Sequence, residues 1–484
     1  MTVAPTPLWQ DAGHRTSVLR HAAGILAISS VFAGGLNNLY ALLMTHTLAT
    51  AQYAIFAGAQ SVLTIAGIIG SAGVPWVLAR ETALSTEGSE RRRQAVTFAF
   101  WGNLAFGIVT AAIVASVISV FGTPLDAAIV GATIFVLAVG STGLGLLQGR
   151  GDTTIISAVF GAEAMVKVLA GVLLVFAIDG GTAGALAGSL VASTLLCATL
   201  PAIRRDVGWP KRLRTDSALW MSAARIGSLQ AGVAVMSALD VLLVAAIPST
   251  RALGGTYQVA SALGKIPLFV ALAVATAVFP TLTRPDSDHR RAEAMRAYLI
   301  VAGFVWLALL TVPQGLVRLA FSAEYSSLTR WLPFTAPLGF ALGALALLTT
   351  FVQSEKTVRH GLRRLVFGVV ALAVGAVVGA MLDGVHGLAI GSTAGAWAGL
   401  VAMATLASER RGIALLARQL RNRRLVLVAA LVAVALAVAE RQPLVWLAVM
   451  VVAVPLTLVG AFPEFAHSVD RLRGLPRMPR TPMT

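Results

Sequence analysis

Long runs of Ala, Val, Leu, Gly and Ile recur along the whole chain, and short polar turns separate each run from the next. The runs do not alternate strictly between apolar and polar positions, and several reach the ~20 residues that a helix needs to cross ~30 Å of hydrocarbon. They therefore predict transmembrane helices and not the alternating strands of a membrane barrel. The pattern gives about fourteen spans, at residues 22–46, 54–79, 95–121, 126–148, 154–178, 183–203, 218–247, 257–280, 297–318, 331–354, 363–382, 387–408, 425–440 and 444–462.

The composition supports the same class. Hydrophobic residues make up 57% of the chain and charged residues only 12%, and the mean hydropathy is +0.82. In a soluble domain about a quarter of the residues are charged, so this chain is predicted to be an all-α polytopic membrane protein. The single cysteine, Cys197, excludes an internal disulfide and a thiolate metal site.

Two stretches, 53–80 and 257–284, echo each other at a fixed offset. The residues in register are Tyr53 and Tyr257, Val74 and Val278, Leu78 and Leu282, and Arg80 and Arg284. The offset places span 7 over span 1 and span 8 over span 2, so both copies enter the membrane from the same side. We therefore expect two six-helix lobes in a parallel repeat, followed by a C-terminal helix pair.

The formal net charge of +16 follows the predicted topology. If the N-terminus is cytoplasmic, the loops after even-numbered spans and the two tails hold nearly all of the clustered arginines, as the positive-inside rule requires. The basic clusters are Arg91 to Arg93, Arg204 and Arg205 with Lys211 and Arg212, Arg290 and Arg291, Arg363 and Arg364, Arg410 and Arg411, Arg423 and Arg424, and Arg471 to Arg480. The charge thus predicts cytoplasmic termini and argues against nucleic-acid binding.

These patterns divide the chain into lobes, loops and tails. The predicted parts are a cytoplasmic tail (1–21), a first lobe of spans 1–6 (22–203), a basic linker (204–217), a second lobe of spans 7–12 (218–408), a basic loop (409–424), a helical hairpin (425–462) and a second cytoplasmic tail (463–484). Every extramembranous stretch is short. Chemistry is therefore expected inside the membrane.

Several short motifs resemble those of Wzx-type polysaccharide flippases, which belong to the multidrug, oligosaccharidyl-lipid and polysaccharide exporter superfamily. The motifs are Asn37-Asn38-Leu39, residues 51–57, Gly73-Val74-Pro75, Arg80-Glu81, residues 147–151, residues 239–243, residues 257–260, Lys265-Ile266-Pro267 and residues 279–282. The resemblance covers most of spans 1–10. It implies alternating access between two lobes and an anionic, lipid-linked sugar as the substrate.

Charged side chains at mid-membrane depth are costly unless they are paired or hydrated, so they mark candidate functional positions. Five such residues occur: Glu163, Lys167, Arg225, Asp240 and Lys265. Glu163 and Lys167 are four residues apart on span 5 and are expected to face the same side of the helix. Their spacing favours an ion pair. The alternatives are that Glu163 is a protonatable ion-coupling site or that Lys167 faces the substrate.

Asp240 on span 7 and Lys265 on span 8 are predicted at similar depths in adjacent helices. One interpretation is a structural bridge between them. The other assigns Lys265 to the substrate's diphosphate and Asp240 to a coupling H⁺ or Na⁺, together with Asp383 near the outer end of span 11. Arg225 either reaches the inner headgroups or binds the diphosphate at the inner mouth of the cleft.

Amide side chains within the spans are candidate sugar ligands, although each serves equally well as a hydrogen-bonded link between helices. The substrate-binding candidates of this type are Asn37, Asn38, Gln60 and Gln258. Span 2 has Gln60 and Ser61 where span 8 has Gly264 and Lys265, which places the expected charge chemistry in the second lobe. No phosphate-binding loop and no His-Glu-x-x-His motif occurs in the sequence.

The sequence thus predicts a non-enzymatic flippase of a lipid-diphosphate-linked oligosaccharide in the bacterial cytoplasmic membrane. We expect no cofactor beyond coupling to H⁺ or Na⁺. The expected partners are the lipid-linked oligosaccharide, membrane lipids, and a glycan polymerase or glycosyltransferases, and the chain is expected to be a monomer. The alternatives are a cation-coupled multidrug or metabolite exporter and a lipid II flippase of the same superfamily.

Overall fold

The structure is a computed structural model that describes residues 33–177, 179–209, 217–247, 251–278, 287–353, 358–406 and 423–461. Within these ranges the regular secondary structure is helical. The helices are α1 (33–47), α2 (Thr50–Ala72), α3 (Val74–Ala83), α4 (Glu90–Ile118), α5 (Pro124–Arg150), α6 (Thr153–Ala177), α7 (Gly181–Cys197), α8 (Ser217–Ala246), α9 (Arg251–Gly264), α10 (Ile266–Val278), α11 (Ser287–Leu310), α12 (Gln314–Ala320), α13 (Leu332–Gln353), α14 (Val358–Ala404), α15 (Arg423–Ala439) and α16 (Pro443–Ala461).

Ten stretches of the described residues are long and apolar enough to cross a membrane. One of them, Arg359–Ala404, reverses direction inside α14 and supplies two crossings. The described end of α1 and the two shorter apolar helices Leu427–Ala439 and Pro443–Thr457 supply the remaining predicted spans. The prediction of an all-α polytopic membrane protein is confirmed.

The reversal in α14 occurs at Asp383 and Gly384, whose backbone angles are not helical. Gly384 has a φ of +55°, which lies in the left-handed region that glycine adopts without a steric cost. The two arms then pack backbone to backbone, because Gly375 faces Gly391 and Gly379 faces Gly387 with no side chain between them. The loop that the sequence predicts between spans 11 and 12 is this tight turn.

Two proline-containing segments interrupt predicted spans. Span 2 breaks at Gly73, between α2 and α3, and Pro75 lies in the first turn of α3. Span 8 breaks at Lys265, and Pro267 is the second residue of α10. Proline lacks the N–H that a continuous helix requires, which explains why both spans are interrupted beside these residues.

The helices before residue 204 and those after residue 216, called here the first and second halves, meet along an antiparallel contact of α2 with α8. Glycine permits the close approach at both ends of this contact. A Cβ built on Gly58 would lie 2.7 Å from the Cβ of Ala245, and one built on Gly227 would lie 3.5 Å from the Cα of Gly73. The halves are therefore in contact over most of the length of α2.

A buried arginine connects three segments at one end of the first-half helices. Only 3% of the Arg92 side chain is exposed, and its Nε lies 3.2 Å from Asp206 Oδ2. A second nitrogen of the same guanidinium lies 3.4 Å from Glu87 Oε1, which Arg150 also approaches at 3.5 Å. The loop before α4, the C-terminus of α5 and the segment after α7 are thus tied together by charge.

Candidate functional site

Asp240 and Lys265 form a closed hydrogen-bonded network between α8 and the break at the end of α9. Lys265 Nζ lies 2.7 Å from Asp240 Oδ1. Ser261 Oγ donates to Asp240 Oδ2 at 2.7 Å, and the Tyr257 hydroxyl donates to the same oxygen at 3.1 Å. Asp240 is fully buried and Lys265 is 8% exposed. The carboxylate therefore has partners on both oxygens, as a buried charge requires.

The local sequence explains this arrangement. Tyr257, Ser261 and Lys265 follow one another at every fourth residue, so they lie on one face of α9 and its C-terminal turn. That face meets α8 at Asp240. This geometry agrees with one of the two interpretations of the pair, the structural bridge. It also keeps the Lys265 cation and the Asp240 carboxylate together in one buried site.

Lys167 on α6 occupies a different environment in the first half. Its Nζ donates to Asn37 Oδ1 at 3.0 Å and to Gln60 Oε1 at 3.2 Å, and it lies 5.6 Å from the centroid of the Tyr40 ring. Gln60 is oriented by a further bond from its Nε2 to Ser189 Oγ at 2.9 Å. Lys167 thus connects α6 to α1 and α2.

The ion pair expected from the spacing of Glu163 and Lys167 is not formed among the described residues. Both side chains instead line a cavity of about 130 Å³ between α2, α5, α6 and α7. The hydroxyl-bearing side chains on its wall are Thr64, Thr133, Ser189 and Ser193. The structure therefore has a polar cavity with two ionisable groups in the first half, where the sequence predicts little charge chemistry.

A second cavity, of about 220 Å³, lies between α1 and the α9 to α10 segment, at a boundary of the two halves. Its walls are mostly apolar, and Asn38 is its one amide. The side chains that line it are Asn38, Leu39, Ala41, Leu42, Thr45, Tyr53, Val259, Ala262, Leu263, Ile266 and Phe321. This space is suited to hydrocarbon with a polar group at one place.

Several contacts join the halves near the start of α2. Gln258 Nε2 donates to the Ala54 carbonyl at 3.0 Å, Thr50 hydrogen-bonds Glu324, and the rings of Tyr53 and Tyr325 meet edge to face at 5.9 Å. Burial, followed by the negative charge of Glu324, raises the pKa of Tyr325, so its hydroxyl stays protonated at neutral pH. We call this group of contacts the outer seam.

Asp383 lies in the exposed turn of α14, where its Oδ2 is 2.7 Å from His386 Nδ1. The His386 ring packs edge to face on Phe334 at 4.9 Å. His386 is a polar residue that the sequence reasoning did not select. Helical spacing could not have identified the pair, because the two residues lie on either side of the non-helical backbone at Gly384.

A family model described as polysaccharide biosynthesis protein matches residues 19–285, which is more than half of the chain. The chain belongs to the polysaccharide biosynthesis protein family. The match covers α1 to α10 and therefore includes both the Asp240 network and the Lys167 cavity. A search of curated proteins returned no match.

Solved structures show that this family member has the fold of the multidrug, oligosaccharidyl-lipid and polysaccharide exporter superfamily. The lipid II flippase MurJ in an inward closed conformation superposes with a TM-score of 0.70 at 11% identity, covering 92% of this chain and 99% of that one. An inward-facing multidrug resistance MATE transporter gives 0.61 at 12% identity, with coverages of 81% and 96%. The eukaryotic MATE transporter AtDTX14 gives 0.58 at 15% identity, with coverages of 84% and 99%.

The structure separates the predicted substrate-binding residues of this polysaccharide biosynthesis protein into several places. Lys265 is engaged by Asp240, Asn37 and Gln60 hold Lys167, and Gln258 links the halves. Asn38 lines the boundary cavity. The side chain of Arg225 and the residues Pro280 and Arg284 lie outside the described part of the chain. The substrate-binding assignments stay predictions.

The predicted ion-coupling residues are also distributed. Asp240 is buried in its network, Glu163 lines the first-half cavity, and Asp383 is paired with His386 in the α14 turn. Among the described residues no cluster of three or more His, Cys, Asp or Glu side chains is arranged to hold a metal ion. The three predicted ion-coupling residues therefore lie at separate places, each with its own polar surroundings.

Proposed function

We propose that this protein is a flippase that moves a lipid-diphosphate-linked oligosaccharide across the cytoplasmic membrane by alternating access. The observation that carries the proposal is the family match over residues 19–285. It is supported by a fold shared with a lipid II flippase and with MATE transporters. The movement changes no covalent bond, so the protein is proposed not to be an enzyme.

The diphosphate head needs cationic partners in the cleft, and Arg225 and Lys265 are the proposed ones. A lysine ammonium suits a moving phosphate because it carries three donors on a long side chain. Lys265 reaches the head group only when its bond to Asp240 opens. The proposal thus links substrate binding to disruption of a buried ion pair.

The boundary cavity beside Asn38 supports the lipid part of this proposal. Its apolar walls from α1 and α9 accommodate hydrocarbon, and its amide offers a hydrogen bond to a sugar or phosphate oxygen. The lipid tail then stays in the bilayer while the head crosses. Coupling to H⁺ or Na⁺ through Asp240, Glu163 or Asp383 supplies direction, since one charge crossing 100 mV contributes ~2.3 kcal/mol.

The proposed cellular setting follows from the substrate. The protein would act as a monomer in the bacterial cytoplasmic membrane, with both termini in the cytoplasm. Glycosyltransferases would supply its substrate, and a glycan polymerase would consume it during assembly of cell-envelope polysaccharide.

Translocation of a fluorescent lipid-diphosphate-sugar in proteoliposomes tests the proposal. We expect the Arg225→Ala, Lys265→Ala double variant to lose most of the translocation, while the exposed control Arg93→Ala keeps it. Because Lys265→Ala leaves Asp240 unpaired, a second variant adds Asp240→Asn to restore a neutral interior. Undiminished translocation by folded variants would contradict the cationic cleft.

A lipid II flippase is the second candidate, and the specific observation in its favour is the TM-score of 0.70 over 99% of MurJ. The same proteoliposomes separate the candidates when they are loaded with lipid II, with a lipid-linked oligosaccharide that lacks the peptide, or with a cationic drug. Selective movement of the lipid-linked oligosaccharide supports the proposal. Selective movement of the drug would instead assign a multidrug exporter.

A further inference from the structure

We propose that the Lys167 ammonium group occupies a monovalent-cation site of the first half, which Asn37, Gln60 and Tyr40 form beside the cavity of about 130 Å³. The site takes Na⁺ or K⁺ once that group is removed. This inference concerns α1, α2 and α6 and does not depend on the identity of the transported molecule.

The partners of the ammonium are those that hold a bare monovalent cation. Two neutral amide oxygens, Asn37 Oδ1 and Gln60 Oε1, face Nζ at 3.0 and 3.2 Å. The face of Tyr40 lies at 5.6 Å, within the range of a cation–π interaction. Carbonyl oxygens and aromatic faces stabilise a positive charge without neutralising it. These direct partners therefore bind a cation without forming a salt bridge.

Two of the three ligands are held in place independently of Lys167. Gln60 Nε2 donates to Ser189, which leaves its Oε1 directed at Nζ. The Tyr40 hydroxyl donates to the Ala185 carbonyl at 2.5 Å, which fixes the ring. The Gln60 oxygen and the Tyr40 ring are therefore positioned by contacts with α7 that do not involve Lys167.

The surroundings also provide an anion and space for an ion. Glu163 lines the same cavity of about 130 Å³, and no ion pair within the described residues joins it to Lys167. The hydroxyl oxygens of Thr133 and Ser193 lie on the same wall. Shortening Lys167 enlarges this cavity and leaves a carboxylate with several oxygen ligands, which is the donor set that hard cations prefer.

The second buried lysine shows why the first one is unusual. Lys265 binds the carboxylate of Asp240 directly, and that carboxylate is completed by Tyr257 and Ser261. Lys167 instead has amide partners while a carboxylate on its own helix stays without an ion pair. The two lysines therefore differ in their direct partners: Lys265 binds a carboxylate, and Lys167 binds two amide oxygens and an aromatic face, with a carboxylate in the adjoining cavity.

Thermal unfolding of the purified full-length protein in detergent tests the inference. The wild type, Lys167→Ala and Lys167→Met are compared in NaCl, KCl and choline chloride at equal concentration. We expect the rise in Tm in NaCl or KCl over choline chloride to be a few degrees larger for the two variants than for the wild type. Adding Glu163→Gln to Lys167→Ala should remove the additional rise.

Binding of ²²Na⁺ gives a direct readout that needs no transport substrate. The Lys167→Ala variant should bind one more ion saturably than the wild type does. Absence of any cation effect in folded Lys167→Ala and Lys167→Met would overturn the proposal. If neither variant folds, the wild type still decides: Na⁺-specific stabilisation that Glu163→Gln abolishes would show that Lys167 does not fill the site.

Discussion

Lys265 Nζ lies 2.7 Å from Asp240 Oδ1, and both side chains are buried between α8 and the break that separates α9 from α10. Removal of one member leaves the other charge uncompensated in a low-dielectric interior, which costs about 3–5 kcal/mol. We therefore expect Asp240→Asn and Lys265→Met each to lower the thermal stability of the detergent-solubilised protein strongly.

The double variant provides the control for that prediction. With both Asp240→Asn and Lys265→Met present, no buried charge is left unpaired, and we expect much of the lost stability to return. A double-mutant cycle measures the coupling between the two sites. Additive losses would show that the two charges do not stabilise each other.

The outer seam depends on a glycine. A Cβ built on Gly255 would lie 2.5 Å from Thr50 Cγ2 and 2.7 Å from the Thr50 carbonyl oxygen, so Gly255→Val should force the halves apart at this end. We expect a cysteine at Ala54, placed in a Cys197→Ser background, to become more reactive towards a membrane-impermeant maleimide. Gly67→Val is the matched control, because a Cβ there meets nothing within 4 Å. Equal labelling in both variants would contradict the prediction.

The α14 hairpin is expected to be intolerant of side chains. A Cβ on Gly379 would overlap the carbonyl oxygen of Gly387, and neither backbone has room to move without breaking the pairing of the two arms. Gly379→Leu should therefore reduce the yield of folded protein in size-exclusion chromatography. Gly303→Leu on α11, where a Cβ meets nothing within 4 Å, should behave like the wild type. Normal folding of Gly379→Leu would mean that the arms are not in contact.

Arg92 should contribute more to stability than its neighbours in the same basic cluster. It is buried against Asp206 and Glu87, whereas Arg93 is exposed. Loss of the guanidinium leaves Asp206 without its buried partner, so Arg92→Ala should destabilise the protein by about 3 kcal/mol or somewhat more. Arg93→Ala should change the stability by less than about 0.5 kcal/mol. Thermal unfolding in detergent measures both, and equal effects would contradict the assignment.

The fold was largely predictable because hydrophobic run length and helix breakers act locally. The breaks near Pro75 and Pro267 lie where proline removes a backbone donor. The reversal at Gly384 was harder to predict, since its sharpness depends on glycines on both arms of α14 that face each other only after folding. A sequence shows the small residues, but it does not show which of them will meet.

The candidate site likewise has one part that the sequence predicts and one part that it does not. The Asp240–Lys265 contact could be predicted because the two residues lie at similar depths in adjacent helices. Tyr257 and Ser261 could have been assigned to the same network from their regular spacing before Lys265. The direct contacts of Lys167 were not predicted, because its hydrogen-bond partners do not include Glu163, its nearest charge in sequence. Its ligands come from α1 and α2, more than a hundred residues earlier in the chain. Contacts between distant helices carry no periodicity that a single sequence reveals.

The two halves meet along two boundaries, α2 with α8 and α1 with α9, and these differ in how closely they pack. Gly58 packs tightly on Ala245. In the alignment of the two echoing stretches, Ala262 corresponds to Gly58 and Ala41 corresponds to Ala245, yet Ala262 and Ala41 line a cavity of about 220 Å³. The repeat therefore has two similar boundaries, of which one is closely packed and the other contains a cavity. The lipid chain of the proposed substrate would therefore have one side of the protein on which it stays in the bilayer.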